Sequence, residues 1–178
     1  MSERTINGVT LALIQGDIVQ VRADAIVNAA NSALAGGGGV DGAIHRAGGP
    51  EIMEACREKG GCPTGSAVAT TAGKLHAKYV FHAVGPIYGQ HENEERLLAG
   101  AYQVCLDLAE QHKLESIAFP SISTGVYAYP LAPAATIALR TIIAHISKPT
   151  HLKKVTMVLY SSQALTAYER ALALLLPE

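Results

Sequence analysis

Asn28-Ala-Ala-Asn31-Ser-Ala-Leu-Ala-Gly36-Gly-Gly-Gly39-Val-Asp41-Gly-Ala-Ile-His45 runs from a short apolar segment into the start of a helical pattern. Four consecutive glycines are entropically costly to order, because glycine loses more backbone freedom on folding than any other residue. A chain that keeps them uses bare backbone, most often to bring N–H groups against an anion. A flexible surface loop accounts for the glycines alone. It does not account for Asn31 and Asp41 bracketing them, or for a helix signal directly after. The stretch therefore reads as a strand, a ligand loop and a helix in succession.

Working outward, strands alternate with helices. Val9–Ile14 and residues 24–28 read as strands. A helical pattern from Val40 to Lys59 is interrupted at Gly48-Gly49-Pro50, which predicts two short helices. Ser66–Thr71 and Lys78–Val84 are the next strands, and residues 90–112 carry apolar residues at helical spacing. Ser116–Phe119 is a short buried strand, Leu131–Ile146 a helix, Val155–Tyr160 a strand and Leu165–Leu176 a closing helix. Six strands interleaved with helices predict an α/β fold, a three-layer α/β/α sandwich over a mixed, mostly parallel six-stranded sheet. No linker, repeat or low-complexity segment divides residues 1–178, so one domain is expected.

In open α/β sheets, ligands bind beyond the carboxyl ends of the strands. Four polar segments follow strands directly: Asp17, Asn28 to Asp41, Ser121-Ile-Ser-Thr-Gly-Val-Tyr127, and Tyr160. One crevice lined by all four is the economical reading. Ser121–Tyr127 alone reads as a turn capped by hydroxyls. Opposite the glycine run, it becomes a second N–H-rich loop, and two such loops suit a pyrophosphate. Tyr127 and Tyr160 are placed to stack on a base or cover a ribose.

Other motifs fail on context. Gly37-Gly-Gly-Val-Asp-Gly42 matches G-x-G-x-x-G formally, but Ala29 to Gly36 separate it from its strand and the expected downstream acidic residue is missing. Gly73-Lys74-Leu75 lacks the hydroxyl of a Walker A loop, and no nucleophile elbow occurs. His45, one turn after Asp41, suggests a His–carboxylate pair, but with no Ser or Cys nucleophile it reads as a structural histidine. His76, His82 and the remaining histidines show no ligand spacing, so no metal or redox cofactor is expected.

Composition narrows the classes. A chain of 178 residues with 49% hydrophobic residues can bury a sizeable core, about 70% of its unfolded surface. No apolar run has membrane-spanning length, and the start lacks a signal-peptide core. Cys56, Cys62 and Cys105 make neither a metal set nor an even disulfide framework, and read as reduced thiols of a cytoplasmic protein. A net charge of −1 without a basic cluster argues against duplex nucleic acid as a partner. It also leaves no Lys/Arg clamp for an anion, so backbone amides must hold one.

At this point the chain resembles the macrodomains, and within them the MacroD-type ADP-ribosyl hydrolases, most nearly the bacterial O-acetyl-ADP-ribose deacetylases. The resemblance covers essentially the whole chain. It rests on Gln15-Gly-Asp17-Ile, Asn28-Ala-Ala-Asn31, Gly36 to His45, Cys62-Pro-Thr-Gly65 and Ser121 to Tyr127. Ala128 is a departure, since family members often carry glycine there.

What the resemblance implies is ADP-ribose as ligand, with O-acyl-ADP-ribose and mono-ADP-ribosylated proteins as partners, and no cofactor. Asp17 would accept from the adenine amino group, beside the Ile18 backbone, and Tyr160 would border the adenine. Gly37, Gly38, Gly39 and Val40, with Ser123, Thr124, Gly125, Val126 and Tyr127, would hold the diphosphate. Asn31 and Asp41 would be catalytic, Asn31 orienting the distal ribose and Asp41 beside a scissile ester on it. Asp41 could activate water as a base. It could instead orient the ribose, because the first turn of a helix stabilises an ionised carboxylate. A module that reads ADP-ribose without cleaving it is the alternative, and the pair Asn31 and Asp41 favours the enzyme. The same residues leave ADP-ribosylated nucleic-acid ends open as substrates.

Overall fold

A computed structural model describes residues 2–177; Met1 and Glu178, which the expected 1–178 domain includes, lie outside the described residues. The chain runs β1 (Ser2–Ile6), β2 (Val9–Gln15), β3 (Ala25–Ala29), α1 (Gly39–Gly48), α2 (Pro50–Lys59), β4 (Ser66–Thr71) and β5 (Tyr79–Val84). It continues through α3 (Glu94–Gln111), β6 (Ser116–Phe119), α4 (Leu131–Ile146), β7 (Lys154–Leu159) and α5 (Ser162–Leu175). These strands form one sheet of seven, in the order β1-β2-β7-β6-β3-β5-β4.

The five inner strands, β2, β7, β6, β3 and β5, are parallel, and the edges β1 and β4 are antiparallel. The mixed, mostly parallel sheet is as expected, with one strand more than six. The extra strand is β1, which pairs with β2 through Asn7-Gly8. Both turn residues have positive φ, 52° and 79°. This is the Asn-Gly hairpin turn whose twist matches that of its strands.

Alternating strand residues feed two cores, one on each face. Leu11, Leu13, Val27 and Phe81 pack with α3, α4 and α5. Ile26 and Val80 pack with Ile44 of α1 and with Ile52 and Cys56 of α2. Pro50 starts α2 after a glycine at positive φ, and left-handed Gly60 ends it. Among the described residues no helix is long and apolar enough to cross a membrane.

The connections position the site. From β3 the chain moves outward to β5, then returns across the sheet to β6 on the other side of β3. The strand order reverses there, and such a switch point opens a crevice at the carboxyl ends.

Candidate functional site

A cleft of about 190 Å³ opens at this switch point. Its walls are Ala29–Asn31 after β3, the glycine loop Gly37–Asp41, Gly85 after β5, and residues 121–127 after β6, Thr124 excepted. Asn31, Gly37, Gly38, Gly39, Val40, Asp41, Ser123, Gly125, Val126 and Tyr127 thus share one cavity, which two of the four expected segments line. Asp17, Ile18 and Tyr160 lie outside that cavity, beyond the adjoining strands β2 and β7. The Gly16 N–H donates to Leu159 O at 2.9 Å, so the two strand ends meet. Asp17 is exposed and accepts from the Val19 N–H at 3.1 Å, Ile18 is buried, and Tyr160 is 83% exposed.

The glycine loop is shaped by Asn31. Its Oδ1 accepts from the Ala35 N–H at 3.0 Å, and its Nδ2 donates to Gly36 O at 2.9 Å. Helix α1 then starts at Gly39 with no side chain capping it. The amides of its first turn have no partner within the helix and form an anion-favouring end. Gly42 lets the helix close on the loop, since a Cβ there would sit 2.7 Å from Gly37 O.

The opposite loop is propped from beneath by two buried tyrosines. Tyr102 accepts from the Ile122 N–H at 2.9 Å, and Tyr168 lies 2.7 Å from Ser121 Oγ. Thr124 donates its hydroxyl back to Ser121 Oγ at 2.9 Å, so only its backbone serves the loop edge. Ser123 holds a strained φ of 67°. A side chain at Gly85 would collide with its Oγ at 2.2 Å.

Asp41 stands in the first turn of α1, only 5% exposed. Its Oδ1 accepts from Asn28 Nδ2 at 2.8 Å and lies 3.2 Å from His45 Nε2, so the His–carboxylate pair does form. Oδ2 has no protein donor among the described residues and lies against Gly37, within 3.5 Å of where a Cβ would begin. Behind Asp41, Asn28 and His82 are register partners on β3 and β5, both fully buried. Burial, and then the His45 imidazole, push His82 down to about 4, so its ring is neutral at physiological pH. Cys56 packs 3.6 Å from His82 Nε2, and burial, then Asp41, push its thiol up.

The histidines show no ligand spacing in sequence, yet the fold gathers His45, Cys56 and His82 with donor atoms within 4.8 Å of one another. Both His82 nitrogens are already engaged, by Asn28 at 3.1 Å and Thr70 at 2.8 Å. A cation here would have to break one of those bonds. All three cysteines are free and buried.

Asn28 and His82 were missed as site residues, as was Gly85. The sequence signal was present: a polar residue inside each of two apolar strands, and a glycine directly after the end of the second. Buried side-chain polar atoms normally have partners. Among the described residues three do not, Asn28 Oδ1, His45 Nδ1 and Ser123 Oγ, and all three belong to this site.

The Macro domain family model matches residues 27–138, which include the glycine loop, Gly85 and the β6 loop. The chain is a macrodomain. This macrodomain is 55% identical over 166 residues to a macro domain-containing protein of Caldanaerobacter subterraneus, covering 90% of this chain and 94% of that one. It is 53% identical over 168 residues to a Salmonella newport protein named O-acetyl-ADP-ribose deacetylase, covering 91% and 93%. Among solved structures, the Oceanobacillus iheyensis macrodomain with ADP superposes with a TM-score of 0.94 at 43% identity, over 98% of this macrodomain and 95% of that chain. A point mutant of that protein with ADPR gives a TM-score of 0.95 at 42% identity, over 99% of each chain.

Proposed function

We propose that residues 1–178 act as one macrodomain in the cytoplasm, binding ADP-ribose in the cleft and hydrolysing esters on its distal ribose. The substrates are O-acetyl-ADP-ribose and, by the same chemistry, mono-ADP-ribose esterified to protein Asp or Glu. Water adds to the acyl carbon, the bond to the ribose oxygen breaks, and acid and ADP-ribose leave. The relative named O-acetyl-ADP-ribose deacetylase and the neighbours with ADP and ADPR support the ligand and the reaction. The three reduced thiols support the compartment.

The observation that carries the reading is Asp41, buried and fixed through Oδ1 by Asn28 and His45, with Oδ2 free of protein donors. Oδ2 is the oxygen left to hold the attacking water. The diphosphate lies between the open amides of α1 and residues 123–127, with the Ser123 hydroxyl as a further donor. Asp17 takes the adenine amino group on its second oxygen, with the Ile18 backbone beside it, and Tyr160 covers the ring. Asn31 has a spare N–H for the ribose. Because the same amide shapes the glycine loop, its loss affects binding as well as turnover.

The test is ester hydrolysis by purified protein alongside calorimetry with ADP-ribose. Asp41→Ala is expected to cut turnover by about a hundredfold or more with ADP-ribose affinity nearly kept. Asn31→Ala is expected to lose both, and Asp17→Ala about tenfold in affinity through one charge-assisted bond. Near-wild-type turnover in Asp41→Ala would refute the role given to Asp41, and ADP-ribose binding without any ester hydrolysis by the wild type would leave a non-cleaving ADP-ribose reader as the better account.

A further inference from the structure

Asp41 does not stand alone behind the cleft. From Oδ1 a buried chain runs to Asn28 Nδ2 at 2.8 Å, on to His82 Nδ1 at 3.1 Å, and from His82 Nε2 to Thr70 Oγ1 at 2.8 Å. Thr70 donates its own hydroxyl proton to Thr71 O at 3.0 Å, so its oxygen is left to accept. That makes Nε2 the protonated nitrogen of His82 and Nδ1 the acceptor. The Asn28 amide must then aim both Nδ2 protons forward, one to Nδ1 and one to Asp41. Its Oδ1 is left buried and without a partner. Turning the amide over would set that oxygen against the Asp41 carboxylate and the Nδ1 lone pair together. The unpartnered oxygen is thus the consequence of a fixed direction along the chain.

We infer that His82, locked by Thr70 in its neutral Nε2–H form, is a positioning residue that holds Asn28, and through it the Asp41 carboxylate, in the geometry needed for ester hydrolysis. The inference rests on the reading of Asp41 given above. A proton on Nδ1 would turn the Asn28 acceptor into a donor and force the amide against Asp41. The fold keeps it off: burial, and then the His45 imidazole, hold His82 down to about 4. The titratable groups facing it are His45 of α1, stacked at 6.1 Å, Cys56 of α2 at 3.6 Å, and Asp41 of α1 through Asn28. β3 and β4 offer only Asn28 and Thr70.

Thr70 gives the cleanest test, since it does not line the cleft. Thr70→Val removes the acceptor that fixes the tautomer. It is expected to lower kcat roughly tenfold by misaligning a group without displacing substrate, with KM and ADP-ribose affinity unchanged. Thr70→Ser keeps the hydroxyl and is expected to restore kcat. Nitrogen-15 spectra of the wild-type imidazoles should show His82 protonated at Nε2 and bare at Nδ1 throughout the neutral range. Wild-type kcat in folded Thr70→Val would overturn the inference, as would equal losses of kcat and affinity, or a wild-type spectrum with the proton on Nδ1. If Thr70→Val does not fold, the wild-type spectrum still decides. It needs no substrate, whereas unchanged turnover in Asp41→Ala would sink the role given to Asp41 and leave the tautomer standing.

Discussion

Gly85→Ala puts the smallest possible side chain where the structure leaves no room. Its Cβ would meet Ser123 Oγ at 2.2 Å and Ile122 Cγ2 at 2.6 Å, against an ordinary contact of 3.4 Å or more. The β6 loop must therefore retreat by about 1 Å, and Ile122 does not give way freely. Ile122 is 1% exposed and its N–H is bonded to Tyr102 at 2.9 Å. Overpacking of this kind costs about 1–3 kcal/mol, and straining the Tyr102 bond adds about 1 kcal/mol. At about 2–4 °C per kcal/mol for a chain of this size, the resulting total of about 2–4 kcal/mol lowers Tm by about 4–16 °C.

The functional loss should exceed the stability loss. A 1 Å misplacement of positioning groups is worth roughly a hundredfold in rate, so kcat/KM for O-acetyl-ADP-ribose should fall by about that factor while most of the protein stays folded. Adding Ser123→Gly removes the nearest obstructing atom and relieves the positive φ. The double variant should regain part of the loss, a coupling that independent sites do not show. Wild-type kcat/KM and an unchanged melt in Gly85→Ala would refute the tight packing of the two loops.

Two further outcomes concern stability. Ala128 holds a left-handed φ of 60°. That conformation costs an L-residue about 1–2 kcal/mol, against about 0.5–1 kcal/mol of added glycine entropy. Ala128→Gly should therefore raise Tm by up to about 3–6 °C, and a lower Tm would refute the strain. Glu110 fastens α3 to the loop before β7 by accepting from Thr150, from the His151 N–H at 2.9 Å and from His145 Nε2 at 2.7 Å. Burial alone would raise its carboxyl, but those donors outweigh it and hold the group below 4.5. A carboxylate depressed in the folded state stabilises above its unfolded value and loses that contribution as pH falls through the folded one. Melts of wild type and Glu110→Gln should differ at neutral pH and converge only once the pH has fallen through the lowered folded-state value of Glu110. A gap that persists in acid would refute the linkage.

Periodicity and turn chemistry carried most of the fold by themselves. Short, nearly continuous apolar runs marked the inner strands, helical spacing the long helices, and Gly48-Gly49-Pro50 the break between α1 and α2. These are signals between near neighbours, which a sequence records directly. β1 was signalled by Asn7-Gly8 alone: Ser2, Glu3, Arg4 and Thr5 are polar on both faces, so no apolar pattern marks the strand. The loops that follow β3 and β6 were identified from glycines and hydroxyls placed directly after apolar strands, and the cleft does lie between them.

Only the tertiary structure decided how the pieces act on one another. His82 and Asn28 are far apart in the chain and become register partners because β5 pairs with β3. Nothing local in Tyr-Val-Phe-His shows which strand its histidine will face. Cys56 and His45 reach the same spot because α1 and α2 both pack on that face of the sheet. The need for glycine at position 85 is likewise invisible in sequence, for it arises from Ser123 across the cleft. Residue types and short spacings report what a segment can do; pairing partners, burial and the direction of a hydrogen bond exist only once distant segments have packed.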